Sequence, residues 1–260
     1  MIKFGLIGHP ITGSGSPALF AQAYGGRWSY DLIDEESFEA AWSRFLADYK
    51  AINVTAPFKT AAFERVAACG RLSVDAVACG AVNIVVKESS GDAAVRPGDD
   101  GSVCPGDGGS APLLAGYNSD YLGLKALLSA EGFGAGDVAV VAGFGGAGRA
   151  AAAAARALGM DVTVCNRTPV VPGGGPLAGG VRPLSELPLL AGVADIVIYT
   201  LPVAIPEVAE LPSAPVVLEA NYLSPCLENY AGRYISGRRW LLEQARAGYE
   251  IMTGEKSLPL

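Results

Sequence analysis

Short apolar runs alternate with segments of helical periodicity along most of the chain. Residues 2–8 form an apolar run of strand length, whereas Phe38, Trp42 and Phe45 recur at helical spacing within residues 35–48. The other predicted strands are 28–33, 51–55, 81–87, 138–142, 161–165, 195–200 and 215–219, and the other predicted helices are 16–24, 58–68, 73–79, 119–131, 146–159 and 238–251. Strands that alternate with helices predict an α/β fold with mostly parallel sheets.

Two stretches interrupt the alternation. Residues 88–115 and 169–183 are rich in Gly and Pro and show no periodicity, so both are predicted loops. The first is also acidic, and a lid or a partner-binding segment is the alternative to a solvated loop. The two series of elements predict two α/β domains, the first formed by residues 1–117 plus 238–260 and the second by 118–237, with the C-terminal helix returning to the first domain.

Composition narrows the class of protein. Half of the residues are hydrophobic and 17% are charged, which excludes a mainly disordered chain. The net charge of −7 disfavours a general nucleic-acid binder, because an acidic surface repels phosphate backbones. No apolar run approaches the length of a membrane span, and no signal peptide is evident. The five cysteines show no C-x-x-C pair, so we expect reduced thiols, no metal site and a cytoplasmic location.

A glycine motif lies between a predicted strand and a predicted helix. Gly143, Gly145 and Gly148 form G-x-G-x-x-G after the strand 138–142 and at the start of the helix 146–159. Such a turn brings a pyrophosphate close to the backbone and to the positive end of the helix dipole. The motif predicts a dinucleotide site, and a tight packing turn without a ligand is the alternative.

The end of the following strand favours NADP over NAD. NAD sites carry Asp or Glu there to bind the ribose 2′-hydroxyl, but this chain has Asn166, Arg167 and Thr168. A guanidinium and a hydroxyl suit a 2′-phosphate. Arg149 either reinforces that positive charge or is an ordinary exposed helix residue.

Polar residues follow several predicted strands, where open α/β sheets bind ligands. They form S-G-S-P at 14–17, N-V-T-A-P-F-K at 53–59 and N-S-D at 118–120. Each has a structural alternative, since Ser16 fits a helix cap and a lone lysine such as Lys59 is usually solvated. His9 is the only histidine, and we expect a positioning role for it rather than acid–base catalysis.

Taken in order, these stretches resemble the shikimate dehydrogenase family over nearly the full chain. The matching sequences are G-L-I-G-H-P-I-x-x-S-x-S-P, N-V-T-A-P-F-K, C-G-A-V-N, G-Y-N-S-D, G-F-G-G-A-G-R-A, N-R-T and I-S-G-R-R-W-L-L-E-Q-A. The resemblance implies a substrate domain and a Rossmann-type NADP domain. It also implies NADPH-dependent reduction of 3-dehydroshikimate to shikimate in aromatic (chorismate) biosynthesis by a monomer or homodimer. The alternatives are a quinate or dual quinate/shikimate dehydrogenase and a non-catalytic nucleotide-sensing regulator.

The resemblance also implies individual roles. Lys59 and Asp120 match the catalytic pair, and a lysine ammonium suits the negative charge that builds on a ketone oxygen as hydride adds. The residues that match substrate groups are Ser14, Ser16, Thr55, Asn83, Tyr222 and Gln244. Those that match cofactor groups are Gly143, Gly145, Gly146, Ala147, Gly148, Asn166, Arg167, Thr168 and Gly237.

Some positions depart from the family pattern. The 88–115 stretch is longer than the usual connection, and Gly148 replaces a usual serine in the phosphate loop. Ser119 stands where threonine is commoner, and Tyr121 stands where glycine is common. No catalytic group is lost, so the departures concern substrate range and rate rather than reaction class.

Overall fold

The apolar runs form the strands of two separate six-stranded sheets. A computed structural model describes residues 2–88, 113–168 and 180–260. The strands are β1 (Lys3–Gly8), β2 (Ser29–Asp34), β3 (Ala51–Val54), β4 (Gly70–Leu72), β5 (Ile84–Glu88), β6 (Leu113–Tyr117), β7 (Val138–Ala142), β8 (Asp161–Asn166), β9 (Val181–Pro183), β10 (Ile196–Tyr199), β11 (Val216–Glu219) and β12 (Tyr234–Ser236). The helices are α1 (Ser16–Tyr24), α2 (Phe38–Asp48), α3 (Lys59–Cys69), α4 (Val74–Cys79), α5 (Ser119–Ala130), α6 (Gly146–Ala157), α7 (Leu187–Ala191) and α8 (Gly237–Thr253).

The chain divides into two compact units. Unit 1 comprises Met1–Ser119 with Ala245–Leu260, and unit 2 comprises Asp120–Gln244. The second division falls inside α8, whereas the sequence-based division at 237/238 lies at the beginning of that helix. The last part of α8 therefore belongs to unit 1, where Tyr249 and Met252 are buried in the core.

The sheet of unit 1 has the strand order β2-β1-β3-β5-β6-β4. Helices cover both of its faces, because successive side chains of a strand point to opposite sides. In β1, Phe4 and Leu6 pack in the cluster that contains residues of α1 and α8, and Ile7 packs in the cluster that contains residues of α2 and α3. Burial on both faces explains why β1 is apolar from Phe4 to Gly8 and does not alternate with polar residues there.

The expectation of mostly parallel sheets is confirmed, and β5 is the exception among the described strands. This strand pairs antiparallel with both β3 and β6. The helix before it, α4, has only six residues and ends at Gly80 in the left-handed conformation (φ +59°). The chain leaves α4 at the same edge of the sheet and does not cross to the opposite edge before β5 begins. β5 therefore starts at the edge where β3 ends, and Asn83 lies at that edge.

The sheet of unit 2 is entirely parallel and has the order β12-β11-β10-β7-β8-β9. Counted along the unit, this is the 3-2-1-4-5-6 order of dinucleotide-binding folds, which reverses direction between β7 and β10. The fully buried alanines of α6, among them Ala150, Ala151 and Ala154, allow that helix to approach the sheet closely. The Rossmann-type architecture predicted from the sequence is therefore confirmed.

Five short elements were not predicted. The sequence interpretation omitted β4, β6, β9, β12 and α7, which have only three to five residues. Residues 113–115, predicted as loop, belong to β6, while residues 89–112 and 169–179 of the two predicted loops lie outside the described residues. Within the described ranges, no helix is both long and apolar enough to cross a membrane.

Candidate active site and dinucleotide site

In unit 1, Thr55 and Lys59 lie just beyond the carboxyl end of β3. The Thr55 N–H donates to Ile7 O of the neighbouring strand (3.0 Å), and Phe58 N–H donates to Thr55 O (2.9 Å). This turn starts α3 at Lys59, whose carbonyl oxygen accepts from Val82 N–H (3.3 Å). Thr55 and Lys59 are partly buried, so a tight turn sets both at one edge of the sheet.

Asn83 is buried at the same edge, with 3% of its surface exposed. Its backbone bridges two strands, since Asn83 N–H donates to Tyr117 O (3.0 Å) and Asn83 O accepts from Val54 N–H (2.8 Å). The side-chain oxygen accepts from Ser119 N–H (2.7 Å). That bond fixes the orientation of the amide, and its NH₂ group is the side of Asn83 that can donate to a ligand.

Ser14 and Ser16 lie in the segment that follows β1. The Ser14 hydroxyl donates to Ser16 Oγ (3.1 Å) and accepts from Ser16 N–H (3.3 Å). Ser16 is the first residue of α1 rather than its N-cap, because Gly15 occupies the cap position. The hydroxyl of Tyr249 donates to Ser16 O (3.2 Å). The structure thus brings together two hydroxyls that suit a carboxylate ligand.

Asp34 accepts hydrogen bonds from the start of the segment that follows β1 and carries Ser14. Its two oxygens accept from His9 Nδ1 (2.8 Å) and from Ile11 N–H (3.1 Å). The Ile11 N–H and the His9 ring lower the pKa of Asp34 below its ordinary value. His9 therefore connects the segment after β1 to the end of β2, a contact that suits the expected positioning role.

Asn118 and Asp75 support the site but were not assigned a role from the sequence. The Asp75 carboxylate accepts from Asn118 N–H (2.6 Å), and Asn118 Nδ2 donates to Ala81 O (3.0 Å). Both side chains are buried. They fix the turn that leads into α5 and its Ser119-Asp120 start. The N-S-D motif drew attention to Asn118, whereas no local signal distinguishes Asp75 from other acidic helix residues.

In unit 2, the glycine motif forms a turn that tolerates no side chain at two of its positions. Gly143 adopts φ +98°, and its N–H donates to Cys165 O (2.8 Å). A Cβ on Gly148 would lie 2.1 Å from Gly143 O. Gly145 precedes α6 and has no atom within 4 Å of an added Cβ. Gly143 and Gly148 therefore let the helix begin against the strand, and Gly145, Gly146 and Ala147 form the helix start, where N–H groups favour a phosphate.

Asn166, Arg167 and Thr168 follow at the carboxyl end of β8, the neighbour of β7. The Asn166 side chain donates to Thr168 O (3.3 Å) and closes a small turn. Arg167 and Thr168 are exposed. This edge thus carries a cation and a hydroxyl where NAD-binding folds carry a carboxylate.

The remaining candidates of unit 2 lie on α5, α8 and the segment after β11. Trp240 Nε1–H donates to Asp120 O (2.8 Å), and a Cβ on Gly123 would lie 2.3 Å from Gln244 N, so α5 and α8 are in close contact. A Cβ on Gly237 would lie 2.4 Å from Glu219 O. Tyr222 follows β11 and is 43% exposed.

The predicted residues of each unit therefore gather at the strand ends or on adjoining helices. Ser14, Ser16, Thr55, Lys59 and Asn83 share one sheet edge in unit 1. No group of three or more His, Cys, Asp or Glu side chains is placed to hold a metal ion within residues 2–88, 113–168 and 180–260.

Comparison with known proteins gives one consistent result. A family model described as the shikimate dehydrogenase substrate binding domain matches residues 6–85. The NADP(+) shikimate dehydrogenase of Thermus thermophilus is 32% identical over 174 residues, which cover 65% of this chain and 57% of that enzyme. The Archaeoglobus fulgidus enzyme of the same name is 28% identical over 98% of this chain and 93% of its own length.

A solved structure extends the likeness over the whole chain. The shikimate 5-dehydrogenase of Thermus thermophilus, in complex with NADP(H) and shikimate, superposes with a TM-score of 0.75 and 26% identity. It covers 100% of this chain and 96% of that one. The fold likeness thus includes both units, although the sequence match to the Thermus relative spans only 57% of its length.

Proposed function

This chain belongs to the shikimate dehydrogenase family, and on that premise we propose that it reversibly reduces 3-dehydroshikimate to shikimate with NADPH. The reaction serves chorismate and aromatic amino-acid biosynthesis. The observation that carries the proposal is the polar edge of unit 1, where Thr55, Lys59 and Asn83 converge. A binding-only protein would not need a lysine held at that edge.

Substrate recognition follows from the types of side chain at each position. Shikimate carries a carboxylate and several hydroxyls, and Ser14 and Ser16 supply hydroxyl donors for the carboxylate. The ring hydroxyls pair with groups that donate or accept, namely Thr55, Asn83, Tyr222, Gln244 and Asp120. The two serine hydroxyls are the proposed neutral donors for the anionic carboxylate.

Lys59 is the proposed proton donor. Reduction of the ketone places negative charge on its oxygen, and the Lys59 ammonium stabilises that charge and delivers the proton. Asp120 is its proposed catalytic partner. In the reverse direction the pair receives the proton of the substrate hydroxyl.

The residues of unit 2 fit NADP. The α6 N-terminus after Gly145 provides N–H donors for the pyrophosphate, and Gly143 and Gly148 leave the backbone accessible. Arg167 and Thr168 bind the 2′-phosphate. Asn166 closes the turn that carries them, through its hydrogen bond to Thr168 O. Gly237 offers backbone near the nicotinamide, and when bound the nicotinamide supplies or accepts the hydride.

The proposed partners are small molecules only. The protein acts in the cytoplasm as a monomer or homodimer and binds neither nucleic acid nor membrane. These statements rest on the family, on the acidic net charge and on the odd number of cysteines.

One assay tests the function. Purified protein is mixed with shikimate or quinate and with NADP⁺ or NAD⁺, and formation of the reduced nicotinamide is followed by absorbance. We expect the highest kcat/KM with shikimate and NADP⁺. Turnover with quinate and NAD⁺ alone would contradict the proposed substrate and the proposed cofactor. The absence of turnover with every pair would contradict the proposed catalytic activity.

A further inference from the structure

Glu219 is a fully buried carboxylate at the last position of β11, with none of its surface exposed. Its Oε1 accepts from Cys226 N–H (2.7 Å) and from the Cys226 thiol (3.1 Å). Its Oε2 accepts from Leu227 N–H (3.1 Å) and from the Tyr234 hydroxyl (3.0 Å). A buried charge is costly unless hydrogen bonds replace its hydration, and these four donors do so.

The donors on Glu219 keep their protons at neutral pH. Burial, together with the Glu219 carboxylate, raises the pKa of Cys226 to about 11. Burial and Glu219 also raise the pKa of the Tyr234 phenol well above its ordinary value. Thiol and phenol therefore remain neutral donors, and the carboxylate is their common acceptor.

The loop that Glu219 closes carries Tyr222. The carboxylate stands at the start of residues 219–227, and the two N–H groups that bind it stand at the end. Inside the loop, Asn221 Nδ2 donates to Pro202 O (3.2 Å) and to Ser224 O (2.7 Å). Leu227 is buried in the unit core, whereas Tyr222 is 43% exposed. The base of the loop is fixed and its tip presents Tyr222.

We infer that Glu219 is a positioning residue that ties the two ends of the 219–227 loop and thereby fixes the orientation of Tyr222. The role of Tyr222 rests on the proposed function, whereas the fixing of the loop does not. Glu219 acts through the loop backbone, so its loss is expected to change substrate affinity more than the chemical step.

Glu219→Gln is the first test. The substitution keeps the shape of the side chain but turns one acceptor oxygen into a donor that faces other donors. We expect KM for shikimate to rise about three- to tenfold, the size of one lost hydrogen bond. We expect kcat to change by less than about twofold, because the lost interaction binds the substrate and the transition state equally. Glu131→Gln is the matched control, since Glu131 is also poorly exposed and is bound by Arg239 (2.5 Å) and by Arg233. It should lower Tm without changing this KM.

A double-mutant cycle separates positioning from general destabilisation. If Glu219 acts through Tyr222, Glu219→Gln will add little to KM in a Tyr222→Phe background. The inference would be overturned if KM in the double variant rose by the product of the two single-variant factors, because the two residues would then act independently. Amide hydrogen exchange gives a readout without turnover, and peptides covering residues 220–230 should exchange faster in Glu219→Gln than in Glu131→Gln.

Further variants keep the test decisive. If Glu219→Gln does not fold, Cys226→Ala removes one donor at the end of the loop and Cys226→Ser restores a hydroxyl donor. We expect faster exchange over 220–230 and a higher KM in Cys226→Ala, with recovery in Cys226→Ser. Unchanged exchange in Glu219→Gln, or in Cys226→Ala, would overturn the inference. If the wild-type protein turns over neither shikimate nor quinate, the proposed function fails and the exchange experiment still decides the role of Glu219.

Discussion

The two sheet edges that carry the candidate residues are built differently. In unit 1, the edge presents side chains whose orientation is set by hydrogen bonds, as in Asn83 bound by Ser119 N–H. In unit 2, the edge around β7 presents backbone, and its critical feature is the absence of side chains at Gly143 and Gly148. A polyhydroxylated ring needs directed donors and acceptors, whereas a pyrophosphate needs N–H groups that it can approach closely.

This difference predicts different responses to substitution. Changes at the first edge should alter chemistry or substrate affinity and leave the fold intact. Changes at the glycine turn should alter the fold or the cofactor affinity and leave substrate recognition intact. The substitutions below test this contrast, from the largest expected effect to the smallest.

Lys59→Ala is expected to have the largest effect. Removing the proposed proton donor should lower kcat about 10²- to 10⁴-fold, the usual contribution of a positioned acid or base, with little change in KM for shikimate. Steady-state oxidation of shikimate measures both constants. Lys50→Ala is the control, because Lys50 is exposed. A fully active Lys59→Ala protein would remove Lys59 from the mechanism.

Gly148→Ala and Gly145→Ala separate two functions of the glycine turn. A Cβ at Gly148 would collide with Gly143 O, so the first substitution should destabilise the protein by about 1–3 kcal/mol and lower Tm. Gly145 has φ −74° and ψ −164°, which alanine adopts, and its surroundings are open. Gly145→Ala should therefore keep Tm and raise KM for NADP⁺. Equal Tm losses in the two variants would contradict this division of roles.

Arg167→Ala tests the choice of cofactor. Loss of a charge-assisted hydrogen bond to the 2′-phosphate should raise KM for NADP⁺ about tenfold, while KM for NAD⁺ stays nearly constant. The ratio of kcat/KM for the two cofactors is the measurement. Arg27→Ala in unit 1 serves as the control, since Arg27 pairs with Glu255. An unchanged ratio would mean that Arg167 does not bind the 2′-phosphate of NADP⁺.

Asp34→Asn should have the smallest effect and a defined pH dependence. The folded-state pKa of Asp34 lies below its ordinary value of 3.8, so its stabilisation is present above that value and is lost as the pH falls through the folded pKa. The Tm of the variant should be slightly below wild type at pH 7, and the difference should vanish in acid. A Tm difference that grows with acidity would contradict the assignment.

The long elements and the glycine turn were predictable from the sequence because they depend on local pattern. The strand over 138–142 was predicted at the bounds observed for β7, and the helix that starts at 146 was predicted at the observed start of α6. β4 and β12 were not predicted, because three residues carry no periodicity and such strands form only by pairing with an existing sheet edge. The same holds for the direction of β5, which depends on the edge at which the chain leaves α4.

The candidate site divides in the same way. Arg167 and the three motif glycines were predicted from residue type and spacing, and the role of Lys59 was predicted from the family resemblance. Asp75, Asn118 and Glu219 were not assigned roles, because their importance comes from backbone groups that they bind at the start of α5 and at the end of a loop. A buried carboxylate cannot be told from a solvated one without its surroundings.

By itself the sequence determined the α/β class, the dinucleotide turn and the residue types available for chemistry, because periodicity and glycine spacing are local properties. Only the tertiary structure decided that β5 runs antiparallel and so presents Asn83 at the edge shared by Thr55 and Lys59. It also decided that Gly148 must lack a side chain and that Glu219 closes the Tyr222 loop. These features depend on distances between residues far apart in the chain, and packing and hydrogen bonding of the folded chain set those distances.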